Sequence, residues 1–199
     1  MNKEELGLDE NVLLIDAFFL NTLIASSKKL FEYKLNRKLN NVLIDELIDY
    51  LALDMGLRPG ENKCTVIFVY DAGSAVFEHC EPKDIEKELN GKGFDDNIGS
   101  FVLLGAPTDN LIKRNDLFMN IMDVILDLKE IKRVGLFPQG DDYDVDVCSK
   151  LDQMKSDDLS RMQLTLFGFN EEEHKNFHFS SPLFPILQAL GVRGDEADS

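Results

Sequence analysis

Five short apolar segments, separated by stretches with helical periodicity, organise the chain. The first four segments are nearly continuous apolar runs, which is the pattern of a strand buried on both faces of a sheet. The segments occupy residues 12–15, 64–70, 101–105, 134–137 and 162–169. Over residues 35–51 and 108–131, apolar side chains recur at spacings of three and four, which predicts amphipathic helices. Shorter helices are predicted over residues 82–89, 145–154 and 182–190. Residues 90–100, rich in Gly and Asp, are predicted to form a loop.

Strands that alternate with helices predict a parallel sheet with helices on both faces. We therefore expect an α/β protein, a three-layer sandwich around a mainly parallel sheet of five strands. Residues 11–170 are predicted to form this domain. Residues 1–10 are polar and are predicted to fray, and residues 171–199 are predicted to be a C-terminal helical extension with an acidic tail.

Acidic residues follow three of the five predicted strands. Asp16 closes the first strand and Asp71 follows the second, where it is interpreted as a turn residue. The acids after the fourth strand are Asp141, Asp142, Asp144 and Asp146. In a parallel sheet, ligands bind beyond the carboxyl ends of the strands, and carboxylates this close together repel one another unless a cation relieves them. A cation site is therefore one interpretation of this group, and an acidic helix N-cap with a solvated turn is the other.

The charge of the chain restricts its partners. The 199 residues carry a formal net charge of −16 at pH 7, and 44% of them are hydrophobic, enough for a sizeable core. An acidic surface repels phosphate backbones, so a role on nucleic acid would need a local basic patch or a bound cation. One basic cluster lies over residues 28–38, on a predicted helix, and is interpreted as a solvated face.

Cysteine content and apolar run lengths predict a cellular location. The three cysteines lack CxxC spacing, which argues against a disulfide framework or a zinc site and fits a reducing compartment. No apolar run approaches the roughly 20 residues needed to span a bilayer. The acidic N-terminus lacks the apolar stretch of a signal peptide. We expect a cytoplasmic protein with no membrane partner.

Two short motifs resemble those of PIN-like nucleases, in particular the NYN branch. Residues 14–20, L-I-D-A-F-F-L, are similar to the first-strand motif I-D-G-F-N-L of that family. Residues 139–145, Q-G-D-D-Y-D-V, are similar to its fourth-strand motif S-G-D-S-D-F-V. The succession of strands and helices over residues 11–170 is also similar. The resemblance implies a Rossmann-like sheet of order 3-2-1-4-5, in which Asp16 and Asp141 face a common point.

The resemblance also implies a metal-dependent ribonuclease. In such enzymes carboxylates hold Mg²⁺ or Mn²⁺, which activates water to cleave a phosphodiester of single-stranded or structured RNA. The catalytic residues implied are Asp16, Asp141 and Asp116. The metal ligands implied are Asp16, Asp141, Asp142, Asp144, Asp116 and Asp123.

The acid expected on the preceding helix has three candidates: Asp109, Asp116 and Asp123. Asp116 and Asp123 are seven residues apart and share a helix face. Asp123 lies within the apolar stripe, and a buried carboxylate without a partner is costly. Asp123 therefore either has a ligand or is less buried than the pattern suggests.

Two substitutions in the motifs support an alternative function. Phe19 stands where the family has Asn, and Tyr143 stands where it has a second Asp. They favour a catalytically silent PIN-like domain that binds a protein partner. A flavodoxin- or receiver-like domain is a third interpretation, since it shares the parallel sheet and the acidic strand ends. No glycine-rich phosphate loop and no G-x-S-x-G elbow occurs in the sequence.

Overall fold

A mixed sheet of seven strands forms the centre of the computed structural model. The structure describes residues 7–109, 111–140, 142–154, 156–169 and 176–197. Within these ranges, the side chains of residues 142–144, 156, 158 and 197 are not described. The strands are β1 (Asn11–Asp16), β3 (Asn62–Tyr70), β5 (Lys92–Asp95), β6 (Gly99–Pro107), β7 (Arg133–Phe137), β8 (Gln163–Phe167) and β9 (His178–Ser180). Their order is β5-β6-β3-β1-β7-β8-β9. Neighbouring strands are parallel, except that β5 runs antiparallel to β6. Two further short strands, β2 (Val42–Leu43) and β4 (Cys80–Glu81), pair with each other outside this sheet.

Helices cover both faces of the sheet. They are α1 (Ala17–Leu35), α2 (Ile44–Asp54), α3 (Arg114–Asp127), α4 (Asp142–Asp152), α5 (Ser156–Arg161), α6 (Leu183–Ala189) and α7 (Gly194–Ala197), and a π-helical turn spans Ile85–Leu89. Alternate residues of β1 enter two separate cores. Leu13 and Ile15 pack with α1, α2 and α6, whereas Val12 and Leu14 pack with α3 and α4. The predicted α/β sandwich with a mostly parallel sheet is therefore confirmed. Among the described residues, no helix has both the length and the apolar character to cross a bilayer.

The prediction of five strands is wrong, because the sheet has an additional strand at each edge. β5 falls within residues 90–100, which were predicted to be a loop. β5 and β9 are only four and three residues long and expose polar side chains, so neither has the apolar run of a buried strand. The order 3-2-1-4-5 consequently does not describe the whole sheet. It covers only the five central strands β6, β3, β1, β7 and β8.

Residues beyond 170 contribute to both the sheet and the core. β9 pairs with β8, and Ile186, Leu187 and Leu190 are buried in the core formed with α1 and α2. The Arg37 guanidinium of the α1–β2 connection donates to the Gly191 carbonyl at 3.0 Å and pairs with Glu196 at 2.7 Å. The region assigned from sequence to a C-terminal extension is thus packed against α1.

The carboxyl ends of β1, β3 and β7 lie next to one another. β1 pairs in parallel with β3 on one side and with β7 on the other, with Asp16 opposite Val69 and Ile15 opposite Phe137. Residues that follow these strands therefore meet at one edge of the sheet, which we call the carboxyl edge. It is the edge at which the candidate residues were predicted to converge.

A separate pair of carboxyl groups lies between α2 and the connection that precedes β6. Asp96 Oδ1 accepts hydrogen bonds from the backbone N–H groups of Ile98 and Gly99, at 2.7 and 3.0 Å. Asp49 of α2 faces Asp96, and its Oδ1 is buried without a hydrogen-bond partner among the described residues. Burial, together with the neighbouring Asp96 carboxylate, raises the pKa of Asp49 to about 7. A protonated Asp49 can donate to Asp96, whereas an ionised one repels it.

Replacing Asp49 with Asn should change how stability depends on pH. Because the folded-state pKa of Asp49 is raised, its favourable contribution is lost as the pH rises from the unfolded pKa through about 7. Asn does not titrate. The free energy of unfolding of Asp49→Asn should therefore rise relative to that of wild type between about pH 5 and about pH 8, as measured by urea denaturation. Glu130→Gln, at an exposed position in the connection before β7, is the control and should show no such trend. A difference between wild type and Asp49→Asn that stays constant with pH would contradict the prediction.

Candidate functional site

The Arg114 guanidinium occupies the carboxyl edge and binds groups that follow three neighbouring strands. Its Nε donates to Asp16 Oδ2 at 2.7 Å, at the end of β1. One terminal nitrogen pairs with the carboxylate of Asp71, which follows β3. The other donates to Gln139 Oε1 at 2.9 Å, after β7. The positive charge at this edge is therefore supplied by the chain itself, from the first residue of α3.

Asp16 has two roles in this arrangement. It is the last residue of β1 and also the N-cap of α1, where its Oδ1 accepts a hydrogen bond from the Phe19 backbone N–H at 2.8 Å. Its side chain is only 1% exposed. Burial raises the pKa of the Asp16 carboxyl, while the hydrogen bonds from Phe19 and Arg114 act in the opposite direction. Both carboxylate oxygens therefore already accept hydrogen bonds within the protein.

An aromatic ring covers the guanidinium. The Arg114 side chain is 12% exposed, and its guanidinium carbon lies 4.6 Å from the centroid of the Phe18 ring. This is a cation–π contact, which adds to the charge pairing where water is largely excluded. Asp71 is the accessible member of the cluster, since 46% of its side chain is exposed. The backbone carbonyl of Asp71 also accepts from Ser74 N–H at 2.8 Å, so the turn predicted after this strand is present.

The acids after β7 fall largely outside the described part of the chain. Asp141 is not among the described residues, and the side chains of Asp142 and Asp144 are not described. The backbone of α4 begins at Asp142, directly beyond β7, which is paired with β1. These acids thus follow a strand that ends at the carboxyl edge. Their predicted roles as metal ligands stay predictions.

The two acids predicted on the preceding helix occupy different positions along α3. Asp116 is exposed on the first turn of α3, two residues beyond Arg114. Asp123 lies about 13 Å further along α3 than Arg114, at 1.5 Å per residue. It pairs with Lys150 of α4, and 43% of its side chain is exposed. Asp123 is therefore less buried than its place in the apolar stripe suggested, and its partner is a lysine.

Phe19, which stands where the resembling family has Asn, belongs to an aromatic cluster. Its ring centroid lies 5.9 Å from that of Phe137 and 6.5 Å from that of Phe169, in edge-to-face geometry. A Cβ atom on Gly140 would come within 2.9 Å of the Phe19 ring, so only glycine allows this approach. The motif Q-G-D thus places Gln139 against Arg114 and Gly140 against Phe19.

Two members of this cluster, Arg114 and Gln139, were missed from sequence, and Asp71 was interpreted only as a turn residue. Arg114 stands in the polar run Lys113-Arg114-Asn115-Asp116, which gives no sign of a distant partner. Its partner Asp16 is 98 residues away in sequence, a separation that no local pattern reveals. The available signal was the position of Asp71 and Gln139, each directly beyond a strand that neighbours β1. Within the described residues, no group of three or more His, Cys, Asp or Glu side chains is arranged to hold a metal ion.

The fold and this edge define a class of protein: an α/β sandwich whose acidic carboxyl edge contains an internal arginine. A family model matches residues 5–197, and the chain belongs to that family, DUF6621, a family of unknown function. No curated protein and no solved structure matches the chain.

Replacing Arg114 with Met should destabilise the protein strongly at neutral pH. Met keeps the apolar stem but leaves the buried Asp16 carboxylate without its counter-charge, a change that typically costs about 3–5 kcal/mol. The pKa of Asp16 should then rise further, because the contributions of Arg114 that lower it are lost. A raised folded-state pKa means that stability falls as the pH rises through it, so the loss should be largest near pH 7 and smaller near pH 4.

Lys113→Met is the matched control, because it removes one positive charge from the neighbouring, exposed position. It should change the free energy of unfolding by less than about 1 kcal/mol. Urea denaturation of both variants across pH measures this. Equal effects of the two substitutions, or a loss for Arg114→Met that does not depend on pH, would show that the ion pairs contribute little.

Proposed function

We propose that this protein is a PIN-like module that is catalytically silent at its carboxyl edge and acts by binding a protein partner. The observation that carries the proposal is the Arg114 guanidinium, bound to Asp16, Asp71 and Gln139. In the resembling nucleases a divalent metal relieves the repulsion between carboxylates at this edge. Here Arg114 does so.

The position of Arg114 opposes metal binding in a specific way. Mg²⁺ requires oxygen ligands at about 2.0–2.1 Å in near-octahedral geometry and keeps several waters. Both oxygens of Asp16 already accept hydrogen bonds, and the side chain is 1% exposed. A metal, its waters and a phosphodiester could reach Asp16 only if Arg114 and Phe18 moved away. The ion pairs of Arg114 with Asp16 and Asp71 would then be lost.

Two further features favour a silent domain. Phe19 replaces the polar residue of the family motif and its ring is packed among other aromatic rings, so its side chain offers neither a metal ligand nor a hydrogen bond. The net charge of −16 repels an RNA backbone. The PIN-like assignment itself is supported by the relative order of the five central strands, β6-β3-β1-β7-β8, which corresponds to 3-2-1-4-5.

A metal-dependent ribonuclease is the second candidate. Its support is that Asp141, Asp142 and Asp144 follow β7 in the sequence, and that β7 pairs in parallel with β1 and ends at the same edge. In that case Mg²⁺ or Mn²⁺ would be held by these acids together with Asp16, with Asp116 next along α3. The two candidates differ in whether a divalent cation binds to the folded protein.

Thermal melts with EDTA and with millimolar Mn²⁺ separate the candidates. A ligand that binds only the folded state adds RT ln(1 + [L]/Kd) to its stability, and each kcal/mol corresponds to about 2–4 °C in a protein of this size. We expect no shift of Tm with Mn²⁺. We expect Asp16→Asn to lower Tm equally in both conditions, because it weakens the pairing with Arg114 and not a metal site.

Cleavage of a single-stranded RNA, followed on gels with the same samples, should not exceed the background. Asp141→Asn is the matched variant at the other motif. Its Tm, like that of wild type, should not shift when Mn²⁺ is added. A rise of Tm with Mn²⁺ that either Asp→Asn variant abolishes, accompanied by metal-dependent cleavage, would reverse the proposal in favour of the ribonuclease.

A further inference from the structure

Exposed apolar side chains are concentrated at the carboxyl edge. Of eleven large hydrophobic side chains that are exposed among the described residues, six are at least half exposed and follow the carboxyl end of a parallel strand. They come one after each of the strands β1, β3, β6, β7, β8 and β9, in the order Phe18, Val76, Leu111, Val145, Phe169 and Phe184. Single exposed apolar residues are ordinary, but their recurrence at one edge of a sheet indicates a surface that is used.

A chain of contacts links Phe18 to Phe169 in the central part of this surface, and Leu111 lies close to it in sequence. Phe18 lies on the Arg114 guanidinium, which is bonded to Gln139. The next residue, Gly140, lies against Phe19, whose ring contacts Phe169. Leu111, 95% exposed, stands in the connection that leads to Arg114. We name Phe18, Leu111 and Phe169, with Arg114 and Gln139 between them, the edge patch.

Acidic residues outnumber basic ones beside the edge patch. Among the described residues of the connections after β3 and β6, Asp71, Glu78 and Asp109 are acidic and Lys113 is basic, and Asp116 follows on the exposed first turn of α3. Arg114, the cation nearest the centre, is already paired with Asp16 and Asp71. A partner that approaches this edge therefore meets apolar side chains at the centre and an excess of negative charge around them.

We propose that the edge patch is the docking surface for a basic amphipathic segment of a protein partner, an inference that rests on the proposed function. The apolar side of such a segment would bury Phe18, Leu111 and Phe169, the type of anchor that dominates interface energy. Its Lys and Arg side chains would lie against the acidic connections, whose charge speeds association with a basic partner and disfavours acidic ones. A second copy of this chain is disfavoured because both copies carry −16, and RNA is disfavoured by the same charge.

The test uses a fluorescent peptide of about 14 residues, with Leu at helical i, i+3, i+4 and i+7 spacing and Lys elsewhere. A matched peptide has Glu in place of every Lys. Fluorescence anisotropy should show that the Lys peptide binds, that its affinity falls as salt is added, and that the Glu peptide does not bind. A labelled single-stranded RNA of similar length should not bind.

Variants locate the binding site on the protein. Leu111→Ser combined with Phe169→Ser should weaken the Lys peptide at least about tenfold, since two central anchors are lost. Leu30→Ser combined with Tyr33→Ser removes two exposed apolar residues near the far end of α1 and should change the affinity less than about twofold. Leu111→Ser alone, at a 95% exposed position, provides an edge variant that should fold normally.

Each contrary result has a separate meaning. No binding of the Lys peptide, or binding that both double variants leave equal, overturns the docking inference. Tight binding of the Glu peptide at the edge patch overturns the inference about charge while the protein-binding function stands. Binding of the RNA at the edge patch overturns the inference as well. The proposed function itself fails only through a Mn²⁺-dependent Tm and RNA cleavage, which the peptide experiment does not measure.

Discussion

The pairing of Arg114 with Asp16 and Asp71 is the interaction on which the carboxyl edge depends. It joins the ends of β1 and β3 and, through Gln139, the connection after β7, to the first residue of α3. A parallel sheet brings its strand ends together, so acids that follow neighbouring strands repel one another. The delocalised, planar guanidinium can satisfy several acceptors at once, which a lysine ammonium does less well. Asp16 can remain buried because this cation, the α1 N-terminus and the Phe19 N–H all compensate its charge.

The same topology explains how much of the fold could be predicted from sequence. Strands buried on both faces must be apolar along their whole length, so β1, β3 and β7 were visible as continuous runs. β5 and β9 were not, because an edge strand is paired on one side only and tolerates polar residues over a few positions. Parallel pairing then implied that Asp16 and Asp71 meet at one edge, and they do so through Arg114.

The charge partners at the edge could not be predicted in the same way. Sequence reasoning found an excess of carboxylates and left a cation site and an acidic cap as alternatives, and in the structure Arg114 of α3 binds two of these carboxylates, Asp16 and Asp71. A salt bridge between residues 98 positions apart depends on where α3 begins relative to the sheet, and a one-residue shift of that start would aim Arg114 elsewhere. Asp123 illustrates the same point, since its place in an apolar stripe suggested a ligand and its partner is Lys150 on a neighbouring helix. Helical periodicity identifies the face of a residue but not the side chain opposite it.

An ion-paired cluster and an apolar surface lie next to one another at the carboxyl edge. A catalytic metal needs open coordination positions and access for water and substrate, whereas charged groups that bind one another need neither. The Arg114 donors are engaged by Asp16, Asp71 and Gln139, and one face of its guanidinium is covered by the Phe18 ring. Phe19 and Gly140 extend this apolar character to Phe169. The edge therefore presents aromatic side chains beside an ion-paired cluster, and a partner that bound there would meet groups already held by their contacts, at little cost in side-chain entropy.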